Sequence, residues 1–112
     1  MITTHVLDMS RGRPASGVSV VLEARAGTRD WKILGKGQTD FDGRLRNILP
    51  AGERLVAGAY RLTFDLAAYY RPQSVESFFS EAIVVFTVRD PTQHYHVPLL
   101  LSPYGYTTYR GS

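Results

Sequence analysis

The residues best suited to chemistry in this sequence are three histidines, His5, His94 and His96. Imidazole titrates near neutral pH and also binds metals, so each histidine is a candidate proton donor, proton acceptor or ligand. His94 and His96 are two residues apart, and on a β-strand this spacing places both imidazoles on one face. Three interpretations remain open at this point: a zinc site with His5 as third ligand, a pair of proton-transfer groups, or a polar patch without a catalytic role.

Neither His5 nor the metal interpretation gains support from neighbouring residues. The period-2 companions of His5 are Thr3 and Leu7, so taken alone His5 is typical of a structural or solvent-facing strand histidine. No Asp or Glu stands at a spacing that completes a familiar zinc motif. The sequence therefore predicts no resident metal.

Arg44 and the C-terminal tetrapeptide are two further candidates. Arg44 follows Asp40-Phe41-Asp42-Gly43, which is predicted to be a turn because Asp bonds its own following backbone and Gly accepts positive φ. A side chain at such a strand end is often functional, although a solvated arginine is the alternative. Tyr109-Arg110-Gly111-Ser112 is either a fraying tail or an ordered end, since it follows an apolar strand with no polar spacer.

Several classes of chemistry are excluded or disfavoured by composition. The chain has no cysteine, which excludes disulfides, a cysteine nucleophile and a thiolate metal site. It has no Gly-x-Ser-x-Gly elbow, phosphate-binding loop or dinucleotide fingerprint, so no cofactor is predicted. The net charge is +3, but Lys and Arg are scattered from Arg11 to Arg110, so the sequence predicts no nucleic-acid surface while leaving a small anionic ligand compatible.

The length of 112 residues predicts one domain, spanning residues 1–112. With 44% hydrophobic and 21% charged residues, the composition is ordinary for a soluble globular protein. No window approaches the roughly 18 apolar residues of a membrane helix, and the N-terminal residues lack a basic segment followed by an apolar one. We therefore expect no membrane partner and a cytoplasmic location.

The elements that must position these candidates are short β-strands separated by single Gly and Pro residues. We predict strands over residues 2–8, 17–25, 31–39, 44–49, 58–66, 82–88, 93–102 and 104–109. A single helical turn is predicted over residues 65–70, ended by Pro72. Seven or eight strands with one short helix indicate an all-β, antiparallel β-sandwich. The last strands are apolar and aromatic on both faces, which indicates that another subunit covers one of them.

Read together, these residues resemble the 5-hydroxyisourate hydrolases, also called transthyretin-related proteins. The first signature of that family is matched by Thr4-His5-Val6-Leu7-Asp8 and Gly12-Arg13-Pro14-Ala15. The second is matched by His94-Tyr95-His96-Val97-Pro98-Leu99-Leu100, by Ser102-Pro103-Tyr104-Gly105-Tyr106 and by Tyr109-Arg110-Gly111-Ser112. In this family the final tetrapeptide separates the enzymes from the hormone-carrying transthyretins.

The resemblance spans essentially the whole chain and is weaker in the middle. Thr39-Asp40, Asp42-Gly43-Arg44 and Ser77-Phe78-Phe79 fit the family pattern there. Ser80 stands where the family pattern has proline, and residues 27–36 carry no signature. Neither departure touches a proposed catalytic position.

The resemblance implies a transthyretin-like β-sandwich that assembles as a homotetramer, with each site in the channel between dimers. It implies hydrolysis of 5-hydroxyisourate to 2-oxo-4-hydroxy-4-carboxy-5-ureidoimidazoline in urate catabolism. The implied catalytic residues are His5, Arg44 and His96. The implied substrate-binding residues are Tyr109, Arg110 and Ser112, with His94 flanking the pocket.

The residue types fit the implied reaction. Opening a ring amide requires an activated water, stabilisation of a growing negative charge and a proton for the leaving nitrogen, and two imidazoles with one guanidinium can supply all three. Two alternatives from other classes are a transthyretin-like carrier of a small aromatic ligand and a structural or adhesive sandwich module. Proton-transfer groups have no use in a carrier, and the absence of cysteines disfavours an extracellular module.

Overall fold

Alternating burial along the strands divides the chain into two β-sheets packed face to face, and the computed structural model describes residues 1–112. The strands are β1 (Ile2–Asp8), β2 (Arg13–Pro14), β3 (Ser19–Ala26), β4 (Asp30–Gln38), β5 (Arg44–Leu45), β6 (Gly58–Asp65), β7 (Glu81–Val88), β8 (Tyr95–Ser102) and β9 (Gly105–Thr108). One short helix, α1 (Leu66–Tyr70), continues into a 3-10 turn (Arg71–Gln73). The predicted all-β sandwich with one short helix is confirmed.

The two sheets have different connectivity. The first has the order β2-β1-β8-β9, with β5 pairing β1 beside β2, and the second has the order β4-β3-β6-β7. Every pairing is antiparallel except that of β1 with β8, which run parallel with Thr3 opposite His96 and Val6 opposite Leu99. The parallel pair was not predicted, because strand periodicity does not reveal which strands become neighbours.

The core lies between the sheets and is built from every second residue of the central strands. Val6 and Leu99 contribute from the first sheet, and Leu22, Leu62 and Phe64 from the second, all with 0% exposure. Burial of such side chains stabilises the fold by about 1.5–3 kcal/mol each. The opposite face of each sheet therefore points outward. On the first sheet this outer face carries His5 and His96.

The helical turn is confirmed, although it ends differently from the prediction. Asp65 caps α1 by accepting a hydrogen bond from Ala68 N at 3.0 Å, and Tyr70 is buried. Pro72 was predicted to end helical structure, but it lies in the first turn of the 3-10 segment, where its missing N–H leaves no bond unmade. The turn ends at Ser74, which has φ of 56°.

Asp8 fixes the end of β1 to the helix. The Tyr69 hydroxyl donates to its carboxylate at 2.7 Å, and Ser10 donates through its hydroxyl at 2.7 Å and its backbone N–H at 3.0 Å. Burial raises the pKa of Asp8, but the hydrogen bonds from Ser10, Tyr69 and the Arg11 backbone outweigh it and hold the pKa below its usual value. The first sheet is thereby fastened to the connection between β6 and β7.

Most predicted strands differ from the structure at one or both ends, usually by one or two residues. The strand predicted over residues 44–49 is only Arg44–Leu45, because the chain then leaves the sheet edge and Ile48 enters the core with 2% exposure. β8 begins at Tyr95 rather than residue 93, where Tyr95 N bonds Met1 O at the start of β1. β9 is shorter than predicted at both ends. The α-helix, with five residues, is too short to cross a membrane.

The predicted turn at residues 40–43 is confirmed and docks onto β1. Gly43 N bonds Asp40 O at 2.8 Å, and Val6 N bonds Gly43 O at 2.7 Å. Gly43 has φ of +75°, and a Cβ at this position would overlap Val6 O. Glycine is thus required both for the backbone conformation and for the close approach that places Arg44 next to His5.

Substituting Gly43 tests this docking. Gly43→Ala combines left-handed strain with backbone overlap and is expected to lower the free energy of unfolding by roughly 3 kcal/mol. Gly12→Ala is the matched control, because Gly12 has φ of +67° with open space around its Cβ position; it should cost only about 1 kcal/mol of strain. Chemical denaturation at a fixed protein concentration measures both values, and equal losses would contradict a special role for the Gly43 contact.

Candidate active site

A cleft of about 250 Å³ lies on the outer face of the first sheet, at the end where β1 begins. It collects residues from four distant parts of the sequence. The lining residues are Met1, Thr3, Thr4, Arg44, Arg46, His94, His96 and Ser112. No Asp or Glu side chain is among them, so the cleft is positively charged.

The parallel pairing of β1 with β8 brings the histidines of the second signature to the first strand. Thr3 lies opposite His96 in the register, and its Oγ1 is 2.7 Å from His96 Nδ1 and 2.7 Å from His94 Nε2. Both imidazoles therefore lie on one face of the sheet, as the i, i+2 spacing predicted, while Tyr95 is buried on the other. His94 is exposed and His96 is half-buried.

Pairing of β5 with β1 positions the arginine. Arg44 lies opposite His5, and its backbone N–H donates to Asp40 Oδ1 at 3.0 Å. The Arg44 guanidinium makes no ion pair or hydrogen bond within the chain, whereas the neighbouring Arg46 forms an exposed ion pair with Asp40 at 3.4 Å. Arg44 is thus the cation of the cleft that is free to bind an anion or a developing oxyanion.

His5 has a defined tautomer. Its Nε2 lies 2.9 Å from the backbone oxygen of Asp42. A carbonyl oxygen only accepts hydrogen bonds, so Nε2 of a neutral His5 must carry the proton and Nδ1 must be the nitrogen with a free lone pair. His5 does not line the cleft directly but borders it beside Arg44.

His96 is held in its neutral form. Burial lowers the pKa of His96, and repulsion from the Arg44 cation, and from His94 and His5 whenever they are protonated, lowers it further. The neutral imidazole is the form that accepts a proton, so His96 is suited to act as a base at neutral pH. Its Nδ1 faces Thr3, and its Nε2 makes no hydrogen bond within the chain.

The C-terminal segment is ordered against β8, which was one of the two alternatives for it. Gly111 N bonds His96 O at 2.8 Å in an isolated bridge. A Cβ on Gly111 would lie 2.5 Å from His96 Cδ2, so only glycine lets the chain pass so close to this ring. The bridge places Ser112 in the cleft.

Tyr109 and Arg110 are not brought to this cleft within one chain. They border a separate cleft of about 250 Å³ between β7, β8 and β9. Arg110 lies over the Tyr95 ring with Cζ 4.6 Å from its centroid, and it donates to Gln93 Oε1 at 3.0 Å. Neither residue lines the histidine cleft of its own chain.

Sequence reasoning missed Thr3 and Gly111 as site residues. Thr3 was named only as a period-2 companion of His5, and the signal that could have identified it is the same spacing that places it on the face of His5. Gly111 is part of the C-terminal tetrapeptide, and nothing in that motif alone gives it a separate role. Thr3 contacts His96 only because two strands more than 90 residues apart in sequence pair with each other. Gly111 contacts His96 only because the C-terminal segment runs back along β8.

The zinc interpretation finds no geometric support. No group of three or more His, Cys, Asp or Glu side chains is arranged to hold a metal ion. His94 and His96 are bridged by the Thr3 hydroxyl, with ring centroids 6.2 Å apart, and His5 is turned to Asp42 O.

A larger cleft of about 450 Å³ lies elsewhere, between β2, the 40–43 turn and α1. Its lining includes Arg11, Arg13, Phe41 and Tyr69 but none of the histidines. It lacks a group that titrates near neutral pH, so the smaller histidine cleft is the better candidate for proton-transfer chemistry.

Comparisons with known proteins agree with this geometry. A sequence model described as the HIUase/Transthyretin family matches residues 2–111. The chain belongs to this family. It is 47% identical over 111 residues to a probable 5-hydroxyisourate hydrolase of Caenorhabditis elegans, covering 99% of this chain and 81% of that protein.

Solved structures of the family show the same fold. The 5-hydroxyisourate hydrolase of Klebsiella pneumoniae superimposes with a TM-score of 0.85 at 36% identity, covering 99% of this chain and 98% of that one. Sea bream transthyretin in complex with thyroxine gives a TM-score of 0.91 at 32% identity, covering 98% and 93%. The family resemblance and the transthyretin-like sandwich are therefore confirmed.

The charge of Arg44 should be measurable at His96. We expect the His96 pKa to lie below the ordinary value of about 6.5 and to rise in Arg44→Gln, because removal of a nearby cation stabilises the imidazolium. Arg46→Gln is the matched control, since Arg46 is paired with Asp40 and should leave the His96 pKa in place. NMR titration of the imidazole resonances distinguishes these cases, and an unchanged pKa in Arg44→Gln would contradict the coupling.

Proposed function

We propose that this protein hydrolyses 5-hydroxyisourate in urate degradation. The observation that carries the proposal is the convergence of His5, His96 and Arg44 at one end of the outer face of the first sheet. Relatives with 44–47% identity over nearly the whole chain bear the name of this hydrolase, which supports the same assignment. An Arabidopsis thaliana relative with 43% identity is named a uric acid degradation bifunctional protein.

His96 is the proposed general base. It is neutral at physiological pH, and its Nε2 is free to take a proton from a water molecule as the oxygen attacks the ring amide carbonyl. His96 is thus proposed as the base, a choice that the sequence alone left open between the two histidines. His5, with its Nε2 proton held by Asp42 O, retains Nδ1 as a second proton-transfer site at the edge of the cleft.

Arg44 is the proposed electrostatic residue. Its unpaired guanidinium offers a planar fork of donors to the carbonyl oxygen, which gains negative charge as water adds, or to the anionic ring oxygens of the substrate. The same charge favours the neutral form of His96. Arg44 would therefore stabilise the negative charge on the substrate oxygen and also help to keep the base, His96, neutral.

Ser112, Tyr109 and Arg110 are the proposed substrate-binding residues. Ser112 lines the cleft with its own chain's His96, whereas Tyr109 is 56% exposed and Arg110 is exposed near the separate cleft. We propose that Tyr109 and Arg110 reach a site only when a neighbouring subunit presents them. The predicted cytoplasmic location stays a prediction, and no cofactor or metal takes part in the proposed reaction.

A homotetramer is the proposed assembly. β7 and β9 are edge strands, whose unpaired backbone groups can pair with a second copy. The outer face of the first sheet carries Leu7 and Leu100 beyond the polar cleft, both only half-buried in a single chain. Two such faces packed together would cover this apolar surface and enclose the cleft between subunits.

The carrier function is the weaker candidate. The similarity to a thyroxine complex of sea bream transthyretin establishes that this fold can hold an aromatic ligand in that relative. A carrier would not need a neutral, half-buried histidine beside a free arginine, because both features serve proton transfer and charge stabilisation.

The decay of freshly generated 5-hydroxyisourate, formed from urate by urate oxidase, tests the function. The protein should accelerate the decay, and His96→Ala should lower kcat/KM by about 10²- to 10⁴-fold. Arg44→Lys should lower it by roughly 10²-fold, since a point charge does not reproduce the bidentate fork. Arg54→Lys, in an exposed loop, is the control and should behave as wild type. Folded wild-type protein that leaves the decay unchanged would favour the carrier.

The assembly is tested by placing a charge on the proposed interface. Leu100→Glu should shift sedimentation velocity from a tetramer to smaller species and reduce activity, because a buried unpaired carboxylate opposes packing. Ile33→Glu is the control on the second sheet, where Ile33 is 52% exposed, and should leave the assembly intact. A fully active monomer of the wild-type chain would overturn the shared-site proposal.

A further inference from the structure

We propose that Thr3 is a positioning residue that couples His96 to His94, so that His94 stores the reaction's proton between water attack and ring opening. The inference rests on the proposed function, since it concerns the path of that proton. It adds two residues, Thr3 and His94, to a mechanism that otherwise needs neither.

The Thr3 hydroxyl is the physical link between the two imidazoles. Its Oγ1 lies 2.7 Å from Nδ1 of His96 and 2.7 Å from Nε2 of His94, while Thr3 itself is 5% exposed. The ring centroids of the histidines are 6.2 Å apart, so the hydroxyl rather than a direct contact connects them. Backbone pairing of Thr3 with His96 fixes the position of this hydroxyl.

A hydroxyl has one proton, so Thr3 donates to one histidine and accepts from the other. In the first arrangement His96 Nδ1–H donates to Thr3, Thr3 donates to His94 Nε2, and the Nε2 lone pair of His96 is free to act as a base. In the second arrangement every bond is reversed, and His96 carries its proton on Nε2. The tautomers of the two histidines are thereby linked.

The proton balance follows from these two arrangements. When His96 Nε2 takes a proton from the attacking water, its Nδ1 proton passes to Thr3 Oγ1 and the Thr3 proton passes to His94 Nε2. His96 is then neutral with a proton on Nε2, and His94 is the cation. As His96 Nε2–H protonates the leaving ring nitrogen and the C–N bond breaks, the two transfers reverse and the starting state returns.

The cations near His96 and the solvent exposure of His94 favour storage of the proton on His94. Arg44 on β5 and His5 on β1 lie near His96, Arg46 and Met1 line the same cleft, and no carboxylate side chain lines it to receive a proton. His94 is exposed, so water solvates its charge better than that of the half-buried His96. Gly111 packs against the Cδ2 edge of His96 and holds the ring in register with Thr3.

The hydroxyl is tested by an isosteric replacement. Thr3→Val keeps the β-branched shape, and it should lower kcat by about 10- to 100-fold, the lower part of the general acid–base range, with KM unchanged. Thr3→Ser should restore kcat, since it returns the hydroxyl. Thr108→Val is the matched control, because the Thr108 hydroxyl donates to Pro98 O at 2.8 Å and touches neither histidine. Wild-type kcat in Thr3→Val would overturn the proposal.

His94 is tested separately from Thr3. His94→Ala should reproduce the loss seen in Thr3→Val, and the double variant should lose no more, because both changes break one path. Full kcat in His94→Ala would overturn storage on that residue. Nitrogen-15 NMR of the wild-type protein reports the tautomers of His94 and His96 without turnover. Tautomers of the two residues that change together support the Thr3 bridge, and tautomers that change independently overturn it. Wild-type protein that fails to hydrolyse the substrate would instead overturn the proposed function, which separates the two failures.

Discussion

The site depends on the parallel pairing of β1 with β8. This pairing lays the second signature beside the first, so that Thr3 meets His96 although 93 residues separate them in the sequence. The other pairings of these two strands are antiparallel: β1 pairs with β2 and β5, and β8 pairs with β9. Without the parallel pair, the two halves of the candidate site would lie apart.

The chemistry of the cleft follows from an imbalance of charge. Arginine and histidine side chains gather on one face without a carboxylate among them, which would be unfavourable if all were protonated together. The depressed pKa of His96 relieves this repulsion, since the half-buried imidazole remains neutral. Burial of the His96 ring, reinforced by repulsion from the neighbouring cations, therefore keeps a base available at neutral pH.

Local sequence patterns predicted the sandwich, the turn before Arg44 and the common face of His94 and His96, because each depends only on nearby residues. The relation between distant segments was not available from periodicity. The parallel neighbour of β1, the Thr3 bridge and the approach of Gly111 to His96 all arise from tertiary pairing. The early end of β5 likewise has a tertiary cause, because the chain leaves the sheet edge so that Ile48 can be buried in the core. The family resemblance supplied site residues that periodicity alone did not select.

The division of the first sheet into an inner and an outer face has an evolutionary consequence. Residues such as Val6 and Leu99 are constrained by the volume of the core, whereas His5 and His96, on the opposite face of the same strands, are not. Side chains at the polar cleft of this face can therefore change with little cost to the core, and new chemistry can arise there while the fold is retained. A surface of this kind allows catalysis to be lost or gained while the protein stays folded, and the same architecture indeed includes both a hydrolase and a thyroxine-binding relative.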